Sequence, residues 1–348
     1  MKIFATMITP GIGGAGDYLE LILKNYNGYV KIHPINFKVR NIYFRKILSE
    51  TQIVILKVLF LFLKNFTIQE LVIYHPQTIG YNISNKLIDN SHKIIYYILD
   101  ASIFCIKSYN HRNLKECEKC ILKIDPYKDC SFFPRNNSQT DFIYHNELLR
   151  KKLESVTFIT QTKGYNEILK KMFGSNVIFS VEKMRFDKLK TINYKPINLK
   201  KYDFIFHGNN LPAKGSDYVI SLAKKMPSKI FFMPFNGNNN KNLIFKNTNW
   251  DSGLQEAISS SKIVLCPSFW SAPLEASILK TMLLKTPVAL YCNQFSASKT
   301  LIPEKCFIHL CGDINKDVIL LKKIINDEPL LNNLKENAYD WANNYINE

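Results

Sequence analysis

Short apolar runs alternate with longer mixed segments along the 348 residues, a rhythm that predicts strands joined by helices. Residues 2–8 (KIFATMI), 29–33, 71–75 (LVIYH), 93–99 (KIIYYIL) and 156–160 (VTFIT) read as the strands of a first half. Residues 203–207 (DFIFH), 229–233 (KIFFM), 262–266 (KIVLC) and 287–291 (PVALY) read as those of a second. Strands and helices that alternate in this way imply an α/β architecture with parallel sheets. The intervening KLKTINYKPINLKKY, 188–202, is polar, lysine-rich and without an apolar period, and reads as a linker. NGNNNKN at 236–242 reads as a loop, and residues 316–348 are helical in pattern.

The length suits two domains of about 150–190 residues each. The expected division is 1–190, with a cysteine-rich insertion at 101–140, then 191–330, and a final helix at 331–348 that packs back on the first domain. The start, MKIFATMITPG, reads as a buried first strand rather than a signal peptide, which implies a cytoplasmic protein. The most apolar stretch is IVILKVLFLFL, 53–63, followed by Lys64. It falls short of the roughly 20 residues needed to cross a bilayer and reads as a buried helix. The alternative is a helix that dips one face into a membrane surface.

Charge narrows the partners only in part. The net charge is +17, and residues 1–190 carry 28 Lys and Arg against 16 Asp and Glu. A basic first half suits nucleic acid, anionic lipid or a phosphate-bearing substrate. Zinc-finger helices, nucleic-acid-binding sheet motifs and arginine-rich tails are missing from the sequence, which argues against nucleic acid.

TPGIGGAGDY, 9–18, contains Gly11-x-Gly13-x-x-Gly16, the spacing of a dinucleotide-binding loop. Such a loop wants an acidic residue about 20 positions later for the ribose. Between Glu20 and Glu50 there is none, although Lys38 and Arg40 suit a 2′-phosphate, so an NADP-dependent oxidoreductase remains an alternative. Without a cofactor, the glycines still allow a tight turn that brings bare N–H groups and Asp17 to the start of a helix.

The second half carries the more specific signals. In DFIFHGNNLPAKGSDYVISLAKKM, 203–226, a strand runs into Gly208 and Asn209, and Lys214-Gly215 stands before an amphipathic helix that Ser216 or Asp217 can cap. A lysine at a helix N-terminus suits a diphosphate. In CPSFWSAPLEASILKTMLLKTPVALY, 266–291, Trp270 and Ser271 lie in an aromatic loop and Pro273 opens a helix. Glu275 falls in the first turn of that helix, and Lys280 points about 140° away from it.

These two units, with the glycine loop ahead of them, resemble glycosyltransferases of the GT-B fold and are similar to the large retaining family 4. The resemblance implies two Rossmann-like domains facing across a cleft. It implies sugar transfer from a UDP- or GDP-sugar to a saccharide or lipid-linked acceptor, as in bacterial surface-polysaccharide or lipopolysaccharide synthesis, with no metal or cofactor required for catalysis. It places Lys214 on the donor diphosphate, and Gly13 and Gly14 near the donor phosphates. Gly208, Asn209, Gly215, Trp270 and Ser271 complete the donor side. The sequence departs from the family at Asn209, where an arginine is common, and at Ala272 and Lys280, where glutamates are usual. Glu275 stands where the family has a glycine. A divergent branch follows, in which Glu275 takes over hydroxyl binding and Lys280 adds a second cation. A catalytically degenerate, basic binding protein is the other alternative.

On the acceptor side, His75 and Asp100 both follow apolar strands, where the ligands of open α/β sheets gather. They join Lys214 and Glu275 as catalytic candidates. A lipid-linked acceptor would fit docking of the basic half and segment 53–63 on anionic lipid at the inner face of the cell membrane. Cys105, Cys117, Cys120 and Cys130 resemble a structural zinc site, with His111 as an alternative ligand; free thiols or an iron–sulfur centre are the other readings. A reducing compartment makes disulfides unexpected.

Overall fold

The computed structural model describes every residue except 38–41, 64, 113–114, 131–137, 193–196, 198, 270–273 and 293–295. The expectations for Lys38, Arg40, Lys64, Trp270, Ser271, Ala272 and Pro273 therefore lie outside the described residues. The chain divides into two compact units, Met1–Arg185 and Phe186–Glu348.

Unit 1 opens with β1 (Lys2–Ala5), α1 (Gly13–Ile22), β2 (Val30–Ile32), α2 (Ile42–Leu63) and β3 (Ile68–Tyr74). There follow α3 (Pro76–Ile79), α4 (Tyr81–Asp89) and β4 (Ser91–Tyr97), then an antiparallel hairpin of β5 (His111–Arg112) and β6 (Lys115–Glu116). It closes with α5 (Lys119–Lys123), α6 (Gln139–Lys151), β7 (Val156–Thr160), α7 (Lys163–Phe173) and β8 (Ile178–Val181). Six of these strands form a parallel sheet in the order β2-β1-β3-β4-β7-β8. β3 shows why: of IQELVIY only Gln69 is exposed, as expected of a strand covered on both faces.

Unit 2 repeats the plan. It contains β9 (Tyr202–Phe206), α8 (Ser216–Lys225), β10 (Phe231–Met233), β11 (Leu243–Phe245), α9 (Gln255–Ser259) and β12 (Ser261–Cys266). After these come α10 (Ala276–Leu283), β13 (Val288–Tyr291), α11 (Ala297–Thr300), β14 (Ile308–Leu310), α12 (Ile314–Ile324) and α13 (Glu328–Asn347). The sheet is again parallel and six-stranded, in the order β11-β10-β9-β12-β13-β14. Phe204, stacked on Phe231 at 4.7 Å, sits in a core shared by α8 and α12. α13 packs on α10 and the short turn Glu304–Cys306, with an ion pair between Lys285 and Glu336 at 2.6 Å.

The α/β class and the parallel sheets agree with the sequence. Besides the short hairpin strands β5 and β6, the strands it missed are β8, β11 and β14, which lie at sheet edges and have only three or four residues each, too few for a clear apolar signal. The expectation of a buried helix at 53–63 is corrected. α2 runs for 22 residues, and although Phe60 and Leu63 are buried, Val54, Ile55, Val58, Leu59, Leu61 and Phe62 are exposed. Among the described residues no helix is long and apolar enough to cross a membrane.

A buried histidine joins α4, α6 and β4. His145 is fully enclosed; its Nδ1 donates to Asn85 Oδ1 at 2.6 Å, and the Tyr96 hydroxyl donates to its Nε2 at 2.9 Å. Burial lowers its pKa to about 3, against about 6.5 for a free imidazole. The unfolded chain therefore binds more protons between these two values, and stability must fall as pH drops through that window. Urea unfolding followed from pH 7 to pH 5 should lose about 1.4 kcal/mol per pH unit from this residue below pH 6.5. The His145→Gln variant should be less stable at pH 7 and lack that component of the slope; an unchanged slope would contradict the assignment.

Candidate functional site

In unit 2 the chain leaves β9 toward β10 on one side, while β12 lies on the other. The loops that follow β9 and β12 diverge here, and open α/β sheets bind ligands at such switch points. The first loop passes Gly208 and the exposed Asn209, whose carbonyl accepts from the Leu211 amide at 2.7 Å, and then forms a short 3₁₀ turn, Pro212–Lys214. Gly215, at φ +82°, caps α8, and a Cβ there would lie 2.4 Å from the Pro267 carbonyl oxygen. Neither Ser216 nor Asp217 caps the helix: both lie inside it, with Asp217 in its first turn. The second loop is tied to the first by the Phe269 amide, which donates to the Ala213 carbonyl at 2.9 Å.

That close approach brings together two residues far apart in sequence. Lys214 Nζ lies 2.9 Å from Glu275 Oε2, with side chains only 17% and 14% exposed. Glu275 is the extended N-cap residue of α10, one position ahead of the expected first turn, and its side chain makes no capping bond. The Ser277 hydroxyl donates to its carboxylate at 3.4 Å. A small pocket opens beside it, lined by Cys266, Ser268, Tyr291, Ser296 and Ser298 among others. Burial and then the Glu275 charge push the Cys266 thiol well up, with Lys214 opposing.

Lys280 lies farther along α10. Its Nζ sits 4.3 Å above the Trp250 ring, and Trp250 lies parallel to His207 at 6.2 Å. His207 is buried at the end of β9 and bonded through Nδ1 to Thr281 Oγ1 at 3.0 Å; burial, and then Lys280, lower its pKa to about 3. Sequence reading passed over His207 and Trp250. His207 follows an apolar strand just as His75 does, so the same strand-end signal was available for it.

Unit 1 shows a second constellation at its own sheet end. His75 follows β3 in the left-handed region at φ 60°. Its Nε2 lies 3.2 Å from Asp100 Oδ2, beyond β4. Gln77 Nε2 reaches both, at 3.0 Å to His75 and 3.3 Å to Asp100, and the Ser102 amide donates to Asp100 Oδ1 at 2.8 Å. Burial raises the Asp100 pKa, but His75 and Ser102 outweigh it and hold the carboxyl below its ordinary value. His75 Nδ1 is buried with no hydrogen-bond partner among the described residues.

The glycine loop adjoins this constellation. Gly16 is buried, and a Cβ there would lie 2.4 Å from the Thr9 carbonyl oxygen, so the turn itself requires glycine. α1 begins at Gly13, around which a Cβ would meet nothing within 4 Å, and next to Gly14 the nearest atom would be Met184 Cε at 3.9 Å. Asp17 is not in the first turn of α1, which contains no acidic residue. The Tyr74 hydroxyl ties α1 to β3 by donating to the Ala15 carbonyl at 2.6 Å.

The zinc expectation is corrected. All eight cysteines are free thiols, and among the described residues no group of three or more His, Cys, Asp or Glu side chains is placed to hold a metal ion. Burial pushes the Cys105 thiol up to about 11. Burial and the neighbouring Cys105, Cys117 and Cys130 push Cys120 up to about 12.

Two parallel six-stranded sheets, each flanked by helices, define the GT-B class of fold. No family model matches the chain, and no curated protein matches its sequence. Solved structures do. Anabaena HepE in complex with UDP-glucose is similar over 99% of this chain and 94% of its own, at a TM-score of 0.62 and 14% identity. Sucrose-phosphate synthase from Thermosynechococcus elongatus is similar over 99% and 95%, at 0.61 and 11% identity. TarM is similar over 84% of this chain, at 0.53 and 14% identity; the match spans only 55% of TarM.

The contact of Gly215 with Pro267 sets the spacing of the two loops. Gly215→Ala should therefore destabilise the protein by about 2 kcal/mol, since it adds both a left-handed strain and a backbone clash. Thermal or urea unfolding measures this, and a loss below about 0.5 kcal/mol would mean that the loops are not in contact.

Proposed function

We propose that the protein is a glycosyltransferase that moves a sugar from a UDP-sugar to a saccharide or lipid-linked acceptor. The observation that carries this reading is the Lys214–Glu275 pair at the switch point of the unit 2 sheet. A half-enclosed ammonium beside the start of α8 suits a diphosphate, and an incoming diphosphate would replace Glu275 as the partner of Lys214. Glu275, released from the ion pair, would accept hydrogen bonds from hydroxyls of the donor. HepE, which shares the fold along almost its whole length, was solved with UDP-glucose, and this favours UDP as the nucleotide.

In the reaction the bond between the anomeric carbon and the diphosphate oxygen breaks, with its electron pair leaving on UDP. A bond forms from the acceptor oxygen to that carbon, and the acceptor's proton passes to the departing diphosphate oxygen. Lys214, and Lys280 through its place on α10, supply positive charge as the leaving group becomes anionic. The reading assigns that role to side chains and helix amides rather than to a metal. His75, with a buried Nδ1 open to a partner, and Asp100 are assigned to the acceptor hydroxyl. The finer assignment is to a divergent branch of family 4, transferring with retention of configuration in surface-polysaccharide or lipopolysaccharide assembly.

A thermal-shift panel of UDP-sugars, GDP-sugars and NADPH tests this. One UDP-sugar, near 100 times its Kd, should raise Tm by about 5 °C, and Lys214→Ala should cut that shift to about half or less. Glu275→Gln and Lys280→Ala should each lower turnover with that donor by about tenfold or more. Stabilisation by NADPH alone, or by no nucleotide sugar, would overturn the reading.

A further inference from the structure

α2 displays an apolar face to solvent that its own unit does not need. Phe44, Ile47, Val54, Ile55, Val58 and Phe62 are each between 55% and 61% exposed. At about 100° per residue they fall within a sector of about 100° around the helix axis. Phe60 and Leu63 point the other way and are buried, so the helix is anchored through the opposite face. The apolar surface continues beyond the helix. Phe66, 45% exposed, packs its ring 5.2 Å from Phe62, and Ile35, 60% exposed, is held by two hydrogen bonds to Gln52 at 2.9 and 3.0 Å. Lys46 and Lys57 lie together on one shoulder of the stripe, where Lys46 also pairs with the exposed Glu50 at 3.9 Å.

We propose that α2 is an in-plane docking surface for an anionic lipid bilayer. A patch this large is rare on a soluble monomer. Charge decides what covers it: a second copy of a chain with net charge +17 is repelled, whereas an anionic surface attracts it and the flanking lysines. The helix lies on the bilayer and does not enter it, because no described helix is long and apolar enough to span. Residues on the exposed stripe sink to the acyl boundary, and the lysines beside them meet the headgroups. This proposal does not depend on the donor chemistry, and it is tested with no nucleotide present.

The test is co-sedimentation of the purified full chain with vesicles of phosphatidylcholine containing one-third phosphatidylglycerol, and with phosphatidylcholine alone. The wild-type chain should bind the anionic vesicles, and more weakly at high salt or without phosphatidylglycerol. Val58→Glu with Phe62→Glu should lower the bound fraction at least tenfold while leaving the circular dichroism spectrum and melting temperature unchanged, because neither side chain belongs to the core. The milder Val58→Ser with Phe62→Ser pair should give an intermediate loss, and Lys46→Glu with Lys57→Glu should weaken binding to the anionic vesicles only. Equal binding by the Val58/Phe62 variants would overturn the proposal. So would no binding at low salt, or a vesicle-free dimer in sedimentation velocity that the Val58/Phe62 variants dissolve.

Discussion

The ion pair between Lys214 and Glu275 is the interaction on which the proposed site in unit 2 depends. It joins the loop after β9 to the start of α10, and its 2.9 Å separation depends on the contact of Gly215 with Pro267 and on the Phe269–Ala213 hydrogen bond. A poorly exposed ion pair adds little net stability, because the cost of desolvating both charges offsets their attraction. What the pair provides is position. In the proposed function it holds a cation at the sheet's switch point, against a carboxylate that an anionic ligand would displace.

Unit 1 uses the same device with different residues. Its sheet also changes direction at β1, with the glycine turn leaving one strand and His75 ending its neighbour. His75 keeps a left-handed backbone, which costs about 1–3 kcal/mol for a side chain of this kind, and its imidazole is fixed by Asp100 and Gln77. That backbone strain lies beside a buried ring nitrogen with no partner among the described residues, which is why the proposed function places His75 on the acceptor. Each unit thus presents a paired acid and base at the carboxyl ends of its strands.

Much of this was legible in the sequence, for physical reasons. Central strands announce themselves because both faces are covered, so LVIY and DFIF stand out. β8, β11 and β14 do not, because an edge strand needs few apolar residues. Lys214 was singled out by its place ahead of a helix, Glu275 through the resemblance to family 4, and His75 and Asp100 by their places after apolar strands. The contacts within each pair depend on tertiary approach and could not be read from the sequence. His207 carried the same strand-end signal as His75 and was passed over, whereas its stacking with Trp250 under Lys280 depends on tertiary approach. Cysteine spacing suggested a metal site but cannot show whether neighbouring thiols take up a ligand geometry, and among the described residues no such group is placed to hold a metal ion. The apolar run at 53–63 likewise cannot reveal whether its face meets a core or the solvent; exposure on α2 supplied that.

The central claim is that Lys214 grips a diphosphate, and calorimetric titration of UDP and of uridine into the wild-type protein and Lys214→Ala tests it most directly. The account predicts that UDP binds the wild type at least tenfold more tightly than uridine does, and that Lys214→Ala removes this advantage while leaving uridine binding unchanged. Equal affinity for UDP and uridine in the wild type, or a UDP affinity untouched by Lys214→Ala, would contradict it.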